Sequence, residues 1–316
     1  MTTPTVLMST WGEGLFILTA GELRQEFAGR AVRGLTRDAH GGALAIVDGR
    51  TLYRGTPDGQ WHPILTSPME LSCCLRLGDV IYAGTDDARV LRIDSRGGCA
   101  PLPGFETTPG RDRWYAGTAL IDGKVVGPPL GVRSMTATSD ERVLLVNVHV
   151  GGIPRSIDRG ESWHPTIDID IDVHDVRAHA TRPDWVIAAA AAGVCVSRDA
   201  GSTWSVEQDG LHATHCSAVA FAGDDILVSA SSDPFAPQGA IYRRSMNAPG
   251  PLHPVDGIPR WIEGKCDTSC IDVRDSHVAL ADWAGNLYLS EDLGRTWSHR
   301  ATGHPAPSGV AILDGG

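Results

Sequence analysis

Three histidines stand where one reagent could use all of them. His149 closes an apolar run in Val146-Asn-Val-His149-Val-Gly-Gly152. His174 opens the next run in Asp-Val-His174-Asp-Val-Arg-Ala-His179, and His215 precedes Cys216 at the start of a third. Three imidazoles beside a carboxylate can hold a divalent or transition metal and leave a position open for substrate. A neutral imidazole is also a general base near physiological pH. His149, His174 and His215 are therefore the candidate catalytic and metal-binding residues. The same set would also suit hydrogen-bonded histidines lining a polar channel. Arg33 and Arg133 both begin strand-like runs. A guanidinium forks two donors onto a carboxylate or phosphate, so the expected ligand is a small anionic molecule. Ion pairing with aspartates of the same rim is the competing reading. Trp114 and Tyr115, in a long connection with Arg111 and Arg113, are expected to line the wall of the site.

None of this chemistry happens unless distant segments converge, and a repeat supplies the means. Ser156-Ile-Asp158-Arg-Gly160-Glu-Ser162-Trp163, Ser197-Arg-Asp199-Ala-Gly201-Ser-Thr203-Trp204 and Ser290-Glu-Asp292-Leu-Gly294-Arg-Thr296-Trp297 are one phrase, Ser-x-Asp-x-Gly-x-Ser/Thr-Trp. Each follows an apolar run and precedes another extended stretch. The phrase reads as a hairpin turn: Asp accepts from backbone N–H groups, Gly supplies φ > 0, and Trp covers the hairpin base. Thr56-Pro-Asp58-Gly59-Gln-Trp61 is a degenerate copy. A repeated hairpin implies a repeated blade.

The rest of the chain is short apolar runs broken by Gly, Asp, Asn and Pro, a strand pattern with almost no helical periodicity. Six complete four-strand units can be traced from Val32 to the third hairpin. The C-terminal run Ser308–Leu313 supplies one further inner strand. Val6–Thr10, Leu15–Thr19 and Leu23–Phe27 supply its three partners. The expected fold is all-β, a seven-bladed propeller of four-stranded antiparallel blades, closed by the two termini in one blade; six blades is the alternative. Closure of that kind leaves no open sheet edge. One propeller spanning residues 1–316 accounts for the length, with insertions on the mouth face near 104–131 and 254–269.

The three phrases resemble the Asp-box, or BNR repeat, of sialidase-like β-propellers, and the chain is similar to the bacterial BNR-like repeat group. The resemblance implies that the boxes are structural staples away from the ligand face. Sialidases of this fold also share an arginine triad, a Tyr/Glu nucleophile pair and an Arg-Ile-Pro motif. Here Arg33 and Arg133 would be two of the arginines, with Arg113 or Arg260 as a third. Only Tyr115 would serve as nucleophile. Arg-Ile-Pro is absent, and Gly-Ile-Pro-Arg occurs twice in the wrong order. The leading reading is a small-molecule-binding propeller of lyase or hydrolase type, dependent on a metal or on histidine. A non-catalytic protein-interaction scaffold and a sialidase-like glycosidase are the alternatives.

Composition narrows the partners. With 27 Lys+Arg against 38 Asp+Glu the net charge is -11, which argues against nucleic acid and anionic membrane surfaces. No signal peptide or long apolar span is read, so a soluble cytoplasmic protein is expected. Seven cysteines is an odd number, expected to be reduced in that compartment. Cys73, Cys74, Cys216 and Cys270 fall at inner-strand starts, as packing residues or as a thiolate nucleophile. Cys266 and Cys270 lie close enough in sequence for a local disulfide or half a metal site.

Overall fold

The computed structural model describes residues 4–38, 41–117, 119–121, 124–126 and 129–314. Seven four-stranded antiparallel units form a ring, a seven-bladed β-propeller. Blade 1 runs Val32–Arg37, Ala43–Val47, Thr51–Gly55 and Trp61–Thr66, and blade 2 from Leu71–Leu77 to Cys99–Pro101. Blades 3, 4, 5 and 6 begin with inner strands Val132–Ala137, Val173–Ala178, His215–Ala222 and Ile271–Arg274. In blade 7 the C-terminal strand Pro307–Leu313 is innermost and pairs antiparallel with Thr5–Thr10. Each inner strand packs on the next and blade 7 packs on blade 1, so the ring closes.

Second strands such as Ala43–Val47, Leu144–Val148 and Val186–Ala190 are buried at every position. Both of their faces meet neighbouring blades, so they read as continuous Val/Ile/Leu/Ala runs rather than alternating ones. The core is accordingly divided among seven seams, one hydrophobic cluster between each pair of blades. Seven seams require seven blades, which excludes the six-bladed alternative.

The three repeated phrases form the same turn between third and fourth strands. Asp158 Oδ1 accepts from the Ser162 amide at 2.9 Å and the Ser156 hydroxyl at 2.7 Å. Asp199 and Asp292 accept the corresponding bonds from Thr203 with Ser197 and from Thr296 with Ser290. Gly160, Gly201 and Gly294 have φ of 94°, 76° and 77°. The residue before each, Arg159, Ala200 or Leu293, is also left-handed, which the sequence does not announce. The tryptophans do more than cover the hairpin. Trp163, Trp204 and Trp297 wedge into the seams of blades 2/3, 3/4 and 5/6.

Hydrogen bonds from the Ser162 hydroxyl and amide draw the Asp158 carboxyl down to about 2. The unfolded value is near 3.9, so this contribution is complete above about pH 4 and is lost as pH falls toward 2. The expected result is that Asp158→Asn lowers Tm at neutral pH and that the gap to wild type closes between about pH 4 and pH 2. A gap that stays constant in melts across that range would remove the carboxylate's role in the turn.

The first insertion is only partly a mouth element. Its short helix Pro103–Glu106 and the turn Arg111–Arg113 place Phe105 and Trp114 in the seam of blades 2 and 3. Ala119–Ile121 and Lys124–Val126 pair as a separate two-stranded ribbon. Residues 118, 122, 123, 127 and 128 of this insertion lie outside the described residues. In the second insertion, Ile262–Glu263 adds to the third strand of blade 5 and Cys266 is buried. Among the described residues, no helix is long and apolar enough to cross a membrane.

Candidate functional site

A cavity of about 720 Å³ opens on the face that carries the starts of the inner strands, the loops after the second strands and the connections between blades. Arg33, Ser72, Arg133, His174 and Ser308, one from each of five blades, line it at the same strand position. The backbone explains how they reach it. Ser72, Arg133, His174, Ser217 and Ser308 are each an extra residue in their strand, skipped by the pairing with the second strand. A bulge of this kind re-aims its side chain out of the ladder. In blade 1 the irregularity spans Gly34 and Leu35, directly after Arg33. Blade 6 has no bulge at the equivalent Ile271, which stays buried.

Three of these bulged residues make the same lateral bond. Ser72 donates to the carbonyl of Val132, Ser308 to that of Val32, and His174 Nδ1 to that of Cys216 at 2.6 Å. Each acceptor lies at the same inner-strand position in the following blade, one residue before Arg133, Arg33 or Ser217. Because a carbonyl only accepts, His174 carries its hydrogen on Nδ1, and Nε2 is turned to the cavity.

The His174 Nε2 atom lies 3.5 Å from Asp172 Oδ2, and the His149 Nε2 atom lies 3.4 Å from Asp172 Oδ1. One carboxylate thus sits between imidazoles of two blades. Asp172 reaches there from a left-handed conformation, φ 53°, unusual for a residue other than Gly. His215 packs tilted against His174, ring centroids 4.7 Å apart. Burial pushes His149 down to about 3, with Arg133 adding to it, and pushes His215 down to about 4. Both are neutral lone-pair donors at physiological pH. Gly117 of the first insertion lies flat against His149, where a Cβ would collide with the imidazole.

The cations divide unequally. Arg33 grips Asp86 through both nitrogens, at 2.8 and 3.4 Å, and lies 3.7 Å from Glu70. Arg133 and Lys265 instead share one carboxylate, Asp267, at 3.5 and 3.6 Å from the same oxygen. Burial lowers the Lys265 pKa, and its ammonium lies 5.0 Å from the Trp283 ring. Arg133 of blade 3 and Lys265 of the connection between blades 5 and 6 thus face one shared carboxylate, Asp267, with Asp172 the other carboxylate of that side of the cavity. Trp11, Phe235 and Trp283 supply apolar surface at the rim.

Several expectations need correction. Trp114 does not line the wall: it is 8% exposed and packs tilted on Phe105, 5.8 Å away. Tyr115 is 51% exposed and also outside the cavity lining. Their connection turns inward at Trp114, whose ring joins the apolar seam of blades 2 and 3. His215 lies outside the metal-sized group, whose third member is Asp172. All seven cysteines are free, so Cys266 and Cys270 form no disulfide. Burial raises the Cys73, Cys74, Cys216 and Cys270 thiols above their usual value, which favours packing over a thiolate role. Asp172 and Asp267 are the residues that sequence reasoning missed. The available signals were Asp172-Val-His174 and the cluster Lys265-Cys-Asp267-Thr-Ser269.

Fold and site together define a seven-bladed propeller with a charged funnel at its axis. No protein-family model and no curated protein matches the sequence. Solved structures do. A putative 6-phosphogluconolactonase from Bacteroides fragilis is similar over 99% of this chain and 98% of its own, at 14% identity and TM-score 0.63. A GH74 enzyme of Niastella koreensis is similar over 93% of this chain at 12% identity and TM-score 0.60. The GH74 xyloglucanase of Xanthomonas campestris covers 94% at 18% identity and TM-score 0.57. The chain spans about half the length of these two GH74 proteins, 46% of each. At such identities the likeness is one of fold.

Proposed function

We propose that this chain is a hydrolase-type propeller that binds a small anionic molecule in its axial funnel and cleaves an ester or lactone bond in it. The observation that carries the reading is that Arg133 and Lys265 have only one shared carboxylate oxygen, 3.5 and 3.6 Å away, in the same cavity as the His149–Asp172–His174 cluster. Arg133 and Lys265 hold the carboxylate or phosphate of the ligand. Arg33, already gripped by Asp86, orders the opposite wall. Trp11, Phe235 and Trp283 cover the apolar faces of the ligand. Water adds to the carbonyl carbon, the bond to the leaving oxygen breaks, and the imidazole–carboxylate cluster passes the proton from water to that oxygen. The neighbour of matching length, titled a putative lactonase, agrees with this choice over a glycosidase, and the GH74 neighbours agree with a hydrolase. The three repeated hairpins, on the reading of an Asp-box protein, are staples remote from this chemistry.

A panel of aryl esters, sugar-acid lactones, phosphorylated lactones and aryl glycosides tests the reading. Anionic esters or lactones should be hydrolysed. Arg133→Gln should raise KM for them by roughly 10–150-fold, the equivalent of about 1.5–3 kcal/mol for a charged hydrogen bond. Neutral analogues should be unaffected. Failure to hydrolyse any anionic member, or an equal loss on neutral ones, overturns the proposal.

A further inference from the structure

The carboxylate between two imidazoles has an electrostatic problem as an isolated cluster. His174 Nε2 carries no hydrogen in the neutral ring, because Nδ1 donates to the Cys216 carbonyl. It therefore points a lone pair at Asp172 Oδ2 across 3.5 Å. Among the described residues, Asp172 Oδ1 is buried and accepts no hydrogen bond, and His149 Nδ1 is likewise buried without a partner. His149 is 4% exposed, so water does not remedy the deficit freely. One ligand atom from each of the three residues lies within 4.8 Å of the other two. The two imidazole–carboxylate separations, 3.4 and 3.5 Å, are those of ligands bonded at roughly 2.0–2.2 Å to one tetrahedral ion, and a small closing of the histidine pair completes the set.

We infer that His149, His174 and Asp172 form a binding site for one divalent first-row transition metal ion, of which Zn²⁺ is the representative. Two nitrogens and one carboxylate oxygen favour such an ion over Mg²⁺ or Ca²⁺, which take oxygen sets. Three protein ligands leave positions open toward the cavity, as catalytic rather than structural sites do. The outer partner of His174 is already in place: a ligating imidazole characteristically donates its other N–H to a backbone carbonyl, as His174 does. Gly117 against the His149 ring fixes that imidazole from the other side. His215 stands outside the ligand set, within reach of a bound water. This inference deepens the hydrolase reading by naming the ion that would polarise the carbonyl or activate the water there, yet its test needs no substrate.

The test is metal binding to the full chain. Chelator-stripped protein should take up one Zn²⁺ per chain by mass spectrometry and calorimetry, and excess Zn²⁺ should raise Tm. Co²⁺ should give visible absorption bands of a site with nitrogen and oxygen ligands. His149→Ala and Asp172→Asn should each weaken binding by more than the roughly 10–100-fold that loss of an outer partner costs. His212→Ala, at a histidine outside the cavity, should leave it unchanged. If a ligand variant melts early, the Co²⁺ spectrum of the wild type still decides the ligand type. No uptake with no change in Tm overturns the inference, as does undiminished binding by both ligand variants. A protein that binds metal but hydrolyses nothing keeps this site and loses the hydrolase reading. Hydrolysis that survives metal removal with no uptake does the reverse.

Discussion

His174→Ser is expected to keep the propeller intact and to abolish hydrolysis. His174 has two separable jobs. Its Nδ1–H ties blade 4 to the Cys216 carbonyl of blade 5, the bond that Ser72 and Ser308 make in their own blades. Its Nε2 faces Asp172 in the cavity. A serine at a bulged position demonstrably makes the first bond and has no ring to do the second. Alanine loses both, at a structural cost of about 0.5–1.5 kcal/mol for the missing bond. Turnover should fall by roughly 10²–10⁴-fold in either variant, the range for a positioned acid–base group. The comparison that matters is Tm. Serine should melt nearer to wild type than alanine while being equally inactive. Residual turnover within a few-fold of wild type would place the chemistry elsewhere in the cavity.

Trp163→Ala should be the most destabilising single change, at about 3–5 kcal/mol for a large buried aromatic. The indole is 2% exposed and meets Phe105 edge-on at 5.0 Å. Its Nε1–H donates to the Gly160 carbonyl at 2.9 Å, so the side chain ties its own turn to the seam of blades 2 and 3. Removing it empties the seam and leaves that carbonyl short of a donor. A drop in Tm of roughly 5–8 °C is expected for a chain of this size. Trp297→Ala should cost less, because Trp297 is only partly buried in its seam. Equal losses for the two would mean that the turns, rather than the seams, carry the stabilisation.

The two experiments separate what holds the ring from what works in its centre. The repeated phrase belongs to the first: its Asp, Gly and Trp act on the third–fourth strand hairpins, at the end of each blade opposite the cavity. Antiparallel topology imposes this. Connections between first and second, and between third and fourth, strands share one face; the remaining connections share the other. That rule also lets His149, His174, His215, Arg33 and Arg133 be assigned to one face from sequence, and the structure does gather all five around the cavity.

Trp114 and Tyr115 carry no local signal that separates their environments. A tryptophan and a tyrosine in a long mouth-face connection look alike in sequence, yet one fills a seam and the other faces solvent. Their fates depend on how much space the strands of blades 2 and 3 leave beneath them, a three-dimensional volume with no local pattern. Asp172 is silent in the sequence for a different reason. An Asp two residues before a His is ordinary in a loop, and only its left-handed backbone swings the carboxylate between two rings.

What the sequence determined on its own was the four-strand repeat, the expected closure by the two chain ends and the face to which each strand start belongs; the seven seams of the structure decided for seven blades over six. The repeat, the closure and the faces follow from alternation, run length and a turn phrase, all interactions between residues near in sequence. Only the tertiary structure decided that Asp172 joins His149 to His174, that Arg133 and Lys265 share Asp267, and that Arg33 is neutralised by Asp86. Each of these is a distance between side chains of different blades. It is set by one-residue bulges in the pairing and by the pitch of neighbouring sheets, and a shift of a single position would turn the same residues away from one another.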